Sequence, residues 1–389
     1  MFPFHGVDFL EIDAFLSDEE KLVRKTVREF ADKEVIPHID GWYREGKFPL
    51  HLVKALGEMG YLGANLSGYG CAEMSNVQYG LVMQELERAD SGLRSFVSVQ
   101  SALVMYPIHA YGSEQQTQRW LPALQQGNAI GCFGLTEPDF GSNPAAMRTR
   151  AVKEGGDYVL NGEKTWITNG SIADVALVWA QTQEGIRGFL VEKGTPGYSA
   201  KDIKGKMSMR ASVTSSLSLQ DARVPAAGLL PGATGLKAAL DCLTQARYGI
   251  GWGAVGAAMA CYNEALEYAK LRKQFGDKPI AGHQLVQARF AEMITEITKA
   301  QLLALHVGRL KDLGRADFAH VSMLKRNNVK IALEIARAAR DILGANGVAD
   351  EHPIFRHMCN LESVFTYEGT HNIHTLIIGE RATGIAAYS

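Results

Sequence analysis

A change of period divides this chain and limits what it can fold into. From 147 to 225, short runs rich in valine, threonine and aromatics, at 158–160, 175–179 and 188–191, alternate with turn signals at Gly155-Gly156-Asp157, Asn161-Gly162, Asn169-Gly170, Gly194 and Pro196-Gly197. That pattern predicts a small antiparallel sheet or barrel. Before it the period is helical. Ser17, with Glu20 three residues on, has the form of a capping box, and Leu22, Val23, Val27 and Phe30 follow at helical spacing. Leu52, Val53, Leu56 and Met59 repeat the pattern up to Gly60, and further helices are predicted over 75–89, 96–111 and 114–125. After Pro225 and a Gly/Pro-rich link to Gly235, long periodic stretches at 236–272, 284–312, 317–344 and 370–387 suit a bundle of about four helices. A chain of 389 residues exceeds what one core organises. The expectation is an α+β protein, mainly α, with a helical domain over 1–128, a central antiparallel β domain over 129–232 and a helical bundle over 233–389.

Charge and apolar content narrow the function. The net charge of −2 offers no basic surface for nucleic acid. No apolar run approaches the roughly 18–20 residues that span a bilayer. Cys71, Cys132, Cys242, Cys261 and Cys359 are scattered and odd in number, which reads as reduced thiols. The acidic start MFPFHGVDFLEIDAFLSDEE lacks the cationic head and apolar core of a signal peptide. A cytoplasmic, bacterial protein is expected; a processed protein of the mitochondrial matrix would carry the same signature.

Taken one at a time, the motifs leave alternatives open. Gly251, Gly253 and Gly256 spell GxGxxG, but the preceding residues read as helix, so close helix packing is favoured over a dinucleotide turn. His371 and His374, with His352 and His357 nearby, suggest a metal only loosely, because no HExxH or cysteine framework accompanies them; no metal is expected. The stretch 133–142 (FGLTEPDFGS) is a tight loop whose backbone donors suit an acceptor-rich ligand, or an ordinary connection. Trp166, in KTWIT, reads on its own as a core residue. Arg94 is four residues from Asp90, which suggests an ion pair within a helix. Glu368, in TYEGTHNIH, is placed to be a helix-terminal carboxylate or a base.

In combination these segments are a specific signal. FGLTEPDFGSN, NGEKTWITNG, LRKQFG, DILGANG and TYEGTH, in this order over essentially the whole chain, resemble the acyl-CoA dehydrogenase family. The stretch from Glu87 to Ser95, continued as FVSVQSALVMYPIHAYGSE, is similar to the glutaryl-CoA dehydrogenase branch of that family. The resemblance implies an N-terminal helical domain, a middle β domain and a C-terminal four-helix bundle. It also implies FAD bound without a dinucleotide fold, a homotetramer built as a dimer of dimers, and electron-transferring flavoprotein as acceptor.

By the same resemblance Glu368 is the catalytic base, removing the α proton of a thioester while a hydride leaves the β carbon for the flavin. Arg94 and Ser95 would receive the distal carboxylate of glutaryl-CoA, with Glu87 in the charge network. Tyr367 and Gly369 would border the acyl pocket, and Arg247 would lie by the CoA arm. Phe133, Gly134, Leu135, Thr136, Ser142, Trp166, Ile167, Thr168 and Thr370 would face the flavin and ribityl chain. Arg272, Phe275 and Gln284 would meet the pyrophosphate and adenosine, with Asp341, Ile342, Leu343, Gly344 and Ala345 supplied by a neighbour. Tyr367 looks like the decarboxylating kind, giving crotonyl-CoA and CO2 in the breakdown of lysine, tryptophan or aromatic acids. The alternatives are arrest at glutaconyl-CoA, or another dicarboxylyl or short or branched acyl-CoA as substrate. Asn143, Ala345, Leu93 and Ser215 depart from the usual pattern, where aspartate, glycine, tyrosine and glycine are frequent.

Overall fold

The structure is a computed structural model that describes residues 1–387; positions 388 and 389 of the expected C-terminal domain lie outside the described residues. The N-terminal helices are α1 (Asp18–Phe30), α2 (Ile39–Glu45), α3 (Leu52–Glu58), α4 (Asn76–Ala89), α5 (Ser91–Ser98), α6 (Tyr106–Tyr111) and α7 (Glu114–Gln125). Capping boxes start three of them: Ser17 with Glu20, Ser75 with Gln78, and Ser113 with Gln116. Each box satisfies two amides that the first turn leaves without partners. Between α4 and α5 the chain breaks at Asp90, whose extended backbone (φ −164°) lets its carboxylate accept from the Gly92 amide at 2.7 Å. A π-helical stretch, Val99–Met105, joins α5 to α6.

The middle third holds β1 (Gly131–Gly134), β2 (Arg150–Glu154), β3 (Asp157–Thr168), β4 (Val175–Thr182), β5 (Gly185–Glu192), β6 (Tyr198–Asp202), β7 (Thr214–Pro225) and β8 (Leu229–Thr234), in the order β6-β7-β3-β2-β4-β5-β8 with β1 on β4. The expectation of an antiparallel sheet needs one correction. β1 runs parallel to β4, and Arg150 of β2 meets Gln181 of β4 in a parallel pair. β1 arrives from the helical domain rather than from a hairpin, so no tight turn sets its direction.

The C-terminal helices are α8 (Gly235–Leu271), α9 (Gln284–Asp312), α10 (Phe318–Ile342), α11 (Ile354–Thr366) and α12 (His371–Thr383). The bundle therefore has one helix more than the periodicity suggested. α11 is short, begins after Pro353 and carries Arg356, His357 and Asn360 on its buried side, which blurs its apolar stripe.

The glycines of GxGxxG are inside α8. A Cβ on Gly256 would run into the Gln84 carbonyl oxygen, one on Gly253 into the Glu87 carboxylate, and one on Gly251 into Leu324. They let α8 lie close against α4 on one side and α10 on the other, as the packing alternative required. Gly256→Ala is expected to destabilise the fold by about 1–3 kcal/mol, because backbone on α4 must move aside. A lowered Tm in calorimetry checks this, and an unchanged Tm would contradict the tight contact.

Candidate active site

The link between α11 and α12 is four residues long and sharply bent. Tyr367 closes α11 and Thr370 caps α12, its hydroxyl accepting from the Ile373 amide at 3.2 Å. Between them Glu368 (φ 51°) and Gly369 (φ 91°) are both left-handed. Gly369 adopts this freely, and a side chain there would meet His374 and Arg247. For Glu368 the same conformation costs about 1–3 kcal/mol and persists only if the surroundings enforce it. They do so through the main chain: Lys325 Nζ donates to Tyr367 O at 2.5 Å and to Gly369 O at 2.7 Å, while Arg247 Nε donates to Glu368 O at 2.7 Å.

Glu368 is half-buried, with one carboxyl oxygen turned inward. Its Oε2 is buried and has no hydrogen-bond partner among the described residues. Burial pushes the carboxyl above the usual carboxylate range, opposed by the charges of Arg94, Lys325 and Arg247. Lys325, itself fully buried, is pulled down to about 7 by that burial, with Glu368 working the other way. A carboxylate raised toward neutrality and short of hydrogen bonds is matched to removing a carbon-bound proton.

Arg94 is completely buried on α5. Its Nε donates to Glu87 Oε2 at 2.6 Å and its Nη2 donates to the Tyr367 hydroxyl. The partner suggested by spacing was Asp90, and the structure corrects this. Asp90 is the cap at the helix break and turns instead to Arg356 and Asn360, at 2.7 and 2.9 Å. Burial works against the charge on Arg94, but Glu87, Tyr367 and Glu368 together outweigh it and hold the guanidinium in its charged form. Nη1 remains without a partner among the described residues. Ser95 is buried one position along α5. The histidines go separate ways: His371 stacks on Phe365, His352 pairs with Glu264, and His374 packs against Gly369.

A second group of site candidates gathers on the sheet. Phe133 and Gly134 end β1 and Leu135 follows it, all in buried positions, with Thr136 next at the surface boundary. Opposite them β3 bulges between Lys164 and Ile167, where its register with β7 shifts. Trp166 occupies the bulge at φ 60° with 61% of its surface exposed, so it is not the core residue that local sequence suggested. An exposed indole on a bulge is an aromatic face offered to a ligand, as bulges beside sites commonly do. Ile167 is buried and Thr168 half-buried beside it, whereas Ser142 is exposed in the loop after β1. Lys164 and Glu137 escaped sequence reasoning: Lys164 Nζ donates to Leu135 O at 3.1 Å and Glu137 Oε1 at 2.9 Å, tying this loop to β3.

A third group lines a cavity of about 930 Å³ between the ends of α8, α9 and α10. Arg272, Phe275 and Gln284 form one wall, and Ile342, Leu343, Gly344 and Ala345 the other. One chain therefore brings together two segments that had been assigned to different subunits. Asp341 lies at the surface beside them, ion-paired with Arg289. None of the sheet candidates lines this cavity. Basic and amide side chains over a glycine-containing turn suit a pyrophosphate, and the apolar members suit an aromatic base, so the residues fit FAD held in two parts.

Comparison with known proteins agrees. Three family models match, described as the acyl-CoA dehydrogenase N-terminal domain over 17–128, middle domain over 132–222 and C-terminal domain over 233–383. A crystal structure of glutaryl-CoA dehydrogenase from Mycobacterium smegmatis is 56% identical, with a TM-score of 0.97 over 98% of this chain and 99% of the other. A glutaryl-CoA dehydrogenase from the same organism, solved in complex with FADH2, is 50% identical, with a TM-score of 0.98 over 100% of both chains. An acyl-CoA dehydrogenase of Bacillus subtilis (strain 168) is 35% identical over 376 residues, 95% of this chain and 99% of that one. The chain belongs to the acyl-CoA dehydrogenase family and is an FAD-dependent acyl-CoA dehydrogenase.

Proposed function

We propose that the protein oxidises glutaryl-CoA and releases CO2, giving crotonyl-CoA. The observation that carries this reading is Arg94: a fully buried guanidinium, held by Glu87 and Tyr367, with Nη1 left over as a donor. A straight-chain acyl group offers that donor nothing, whereas a distal carboxylate satisfies it with a charge-assisted hydrogen bond in a low-dielectric site. The two similar Mycobacterium smegmatis proteins named as glutaryl-CoA dehydrogenases support the same substrate.

In this reading Arg94, with Ser95 alongside, fixes the far end of the acyl chain, and Glu368 takes the α proton. FAD, when bound, supplies the acceptor for the hydride from the β carbon. The product at that stage is glutaconyl-CoA. Its C–C bond to the carboxylate breaks, CO2 leaves, and the electron pair remains as a dienolate conjugated with the thioester. Glu368 then holds a proton and is the acid at hand to protonate the γ carbon, which completes crotonyl-CoA. Tyr367, donating nothing to Glu368 and bound to Arg94, borders the carboxylate that is lost.

The sheet face, Phe133 to Thr136 with Trp166 to Thr168, would hold the flavin ring. The cavity with Arg272, Phe275 and Gln284 would take the pyrophosphate and adenosine end, and Thr370 would lie near the flavin. Because these two surfaces are separate in one chain, the reading includes a homotetramer in which a neighbour completes each cofactor site. The exposed Phe275 and Leu285 lining the cavity, 94% and 83% accessible, support a covered face there. Electron-transferring flavoprotein is the proposed acceptor, and the cytoplasm the proposed location. Among the described residues no helix is long and apolar enough to cross a membrane.

Mass analysis of the acyl-CoA products after incubation with glutaryl-CoA and an electron acceptor tests the proposal. Crotonyl-CoA is expected. Glutaconyl-CoA as end product would remove the decarboxylation, and unchanged glutaryl-CoA would remove the substrate.

A further inference from the structure

Lys325 is a buried cation with no part in the chemistry just described, yet it makes the two contacts that enclose the base. It comes from the N-terminal third of α10, and its ammonium donates to the carbonyls on either side of Glu368. With Arg247 on the Glu368 carbonyl, three successive main-chain oxygens are each bound by a cation. Such contacts stabilise a left-handed pair of residues that would otherwise relax, and they fix where the carboxyl points. We infer that Lys325 is a positioning residue for the reaction: it pins the bent segment that carries Glu368 and adds its charge to those of Arg94 and Arg247 around that carboxyl.

Arg94, Lys325 and Arg247 all favour the ionised carboxyl, Arg94 most, and Lys325 differs from the two arginines in that its own charge can change. The groups around Glu368 are Tyr79 of α4, Arg94 of α5, Arg247 of α8, Tyr367 at the end of α11 and His374 of α12, with Glu87 of α4 behind Arg94. Burial pushes both tyrosines well above their ordinary range, so they stay neutral. Burial, with Lys325 and Arg247, pushes His374 down to about 2, so it is neutral as well. Glu87 and Arg94 are locked in their ion pair. Arg247 keeps its charge throughout. Among these groups Lys325, at about 7, is the partner whose charge changes in the working range. A neutral amine still has two N–H donors for the two carbonyls, so deprotonation removes the charge and leaves the clamp.

The inference rests on Glu368 being the base, and the tests separate the two. Purified holoenzyme carrying Lys325→Met, Lys325→Gln or Lys325→Arg is compared with wild type in kcat, KM and the pH dependence of kcat. The Glu368 acid carbonyl band is followed by infrared titration, assigned by its loss in Glu368→Gln. In Lys325→Met kcat is expected to fall at least about tenfold with KM within about threefold. The carboxyl titration and the acid limb of kcat are expected to move up by about one pH unit. Lys325→Gln should show the same pH shift with a smaller loss in kcat, and Lys325→Arg should return the titration toward wild type. A Lys325→Met enzyme with wild-type kcat and titration overturns the inference. If Lys325→Met does not fold, the Gln and Arg variants decide on the same readouts. Failure of all three to fold, arginine included, overturns it in favour of a lysine needed only for the fold. If instead Glu368→Gln keeps full activity, the base assignment itself fails.

Discussion

Glu368→Gln is expected to lower kcat by about 10³-fold or more, the upper part of what a positioned base contributes. The amide has the same shape and cannot accept the proton. The fold should survive, because the bent segment is held by main-chain carbonyls that the substitution does not touch. The wild-type pH profile follows from the same carboxyl. Its ordinary value of 4.5 is raised by burial. The base works only when ionised, so activity is complete above the raised value and is lost as pH falls through it. The acid limb should therefore lie above 4.5 and disappear in the glutamine variant. Steady-state kinetics from pH 5 to 9, on protein of unchanged flavin content, check both statements. A Glu368→Gln enzyme near wild-type speed would remove the proton-abstraction step from this residue.

Removing the Arg94 guanidinium is expected to separate two substrates that otherwise share every step. Arg94→Ala alone leaves Glu87 as a buried carboxylate without its cation, a change that destabilises by about 3–5 kcal/mol in comparable cases. The cleaner variant is Arg94→Met combined with Glu87→Gln, which removes both charges. Losing a buried charge-assisted contact to substrate corresponds to about 2–5 kcal/mol, so kcat/KM for glutaryl-CoA should fall by about 30-fold to a few thousand-fold. Turnover of butyryl-CoA, which has no distal carboxylate, should fall far less. Equal losses for both substrates would show that Arg94 acts on folding or on the base rather than on acyl recognition.

The parts of this protein that could be read without coordinates are those set by neighbours in the chain. Ser17 and Glu20, Ser75 and Gln78, and Ser113 and Gln116 satisfy amides within one turn, so their helix starts are local events. Glycines at tight turns and the alternation along the first half of β7 are local in the same way. The fifth bundle helix was hidden because Arg356, His357 and Asn360, satisfied or enclosed by distant elements, interrupt its buried apolar stripe of Ile354, Leu361 and Val364. The parallel pairing of β1 was hidden because no hairpin carries it. At the site, TYEGTH and the arginine of α5 were legible as motifs, and their resemblance to a known family supplied the roles proposed for them.

Spacing alone paired Arg94 with the wrong carboxylate. Asp90 is four residues away, but the helix breaks there, and only the packing of α8 and α11 shows that Glu87 and Tyr367 receive the guanidinium. Lys325 gave no local sign at all, since its two acceptors are 42 and 44 residues further on. Periodicity, caps and turns are governed by forces that act over a few residues, and the chain states them directly. A pKa, a spare donor or a strained φ arises from groups that folding brings in from far apart, and burial gives those contacts their strength.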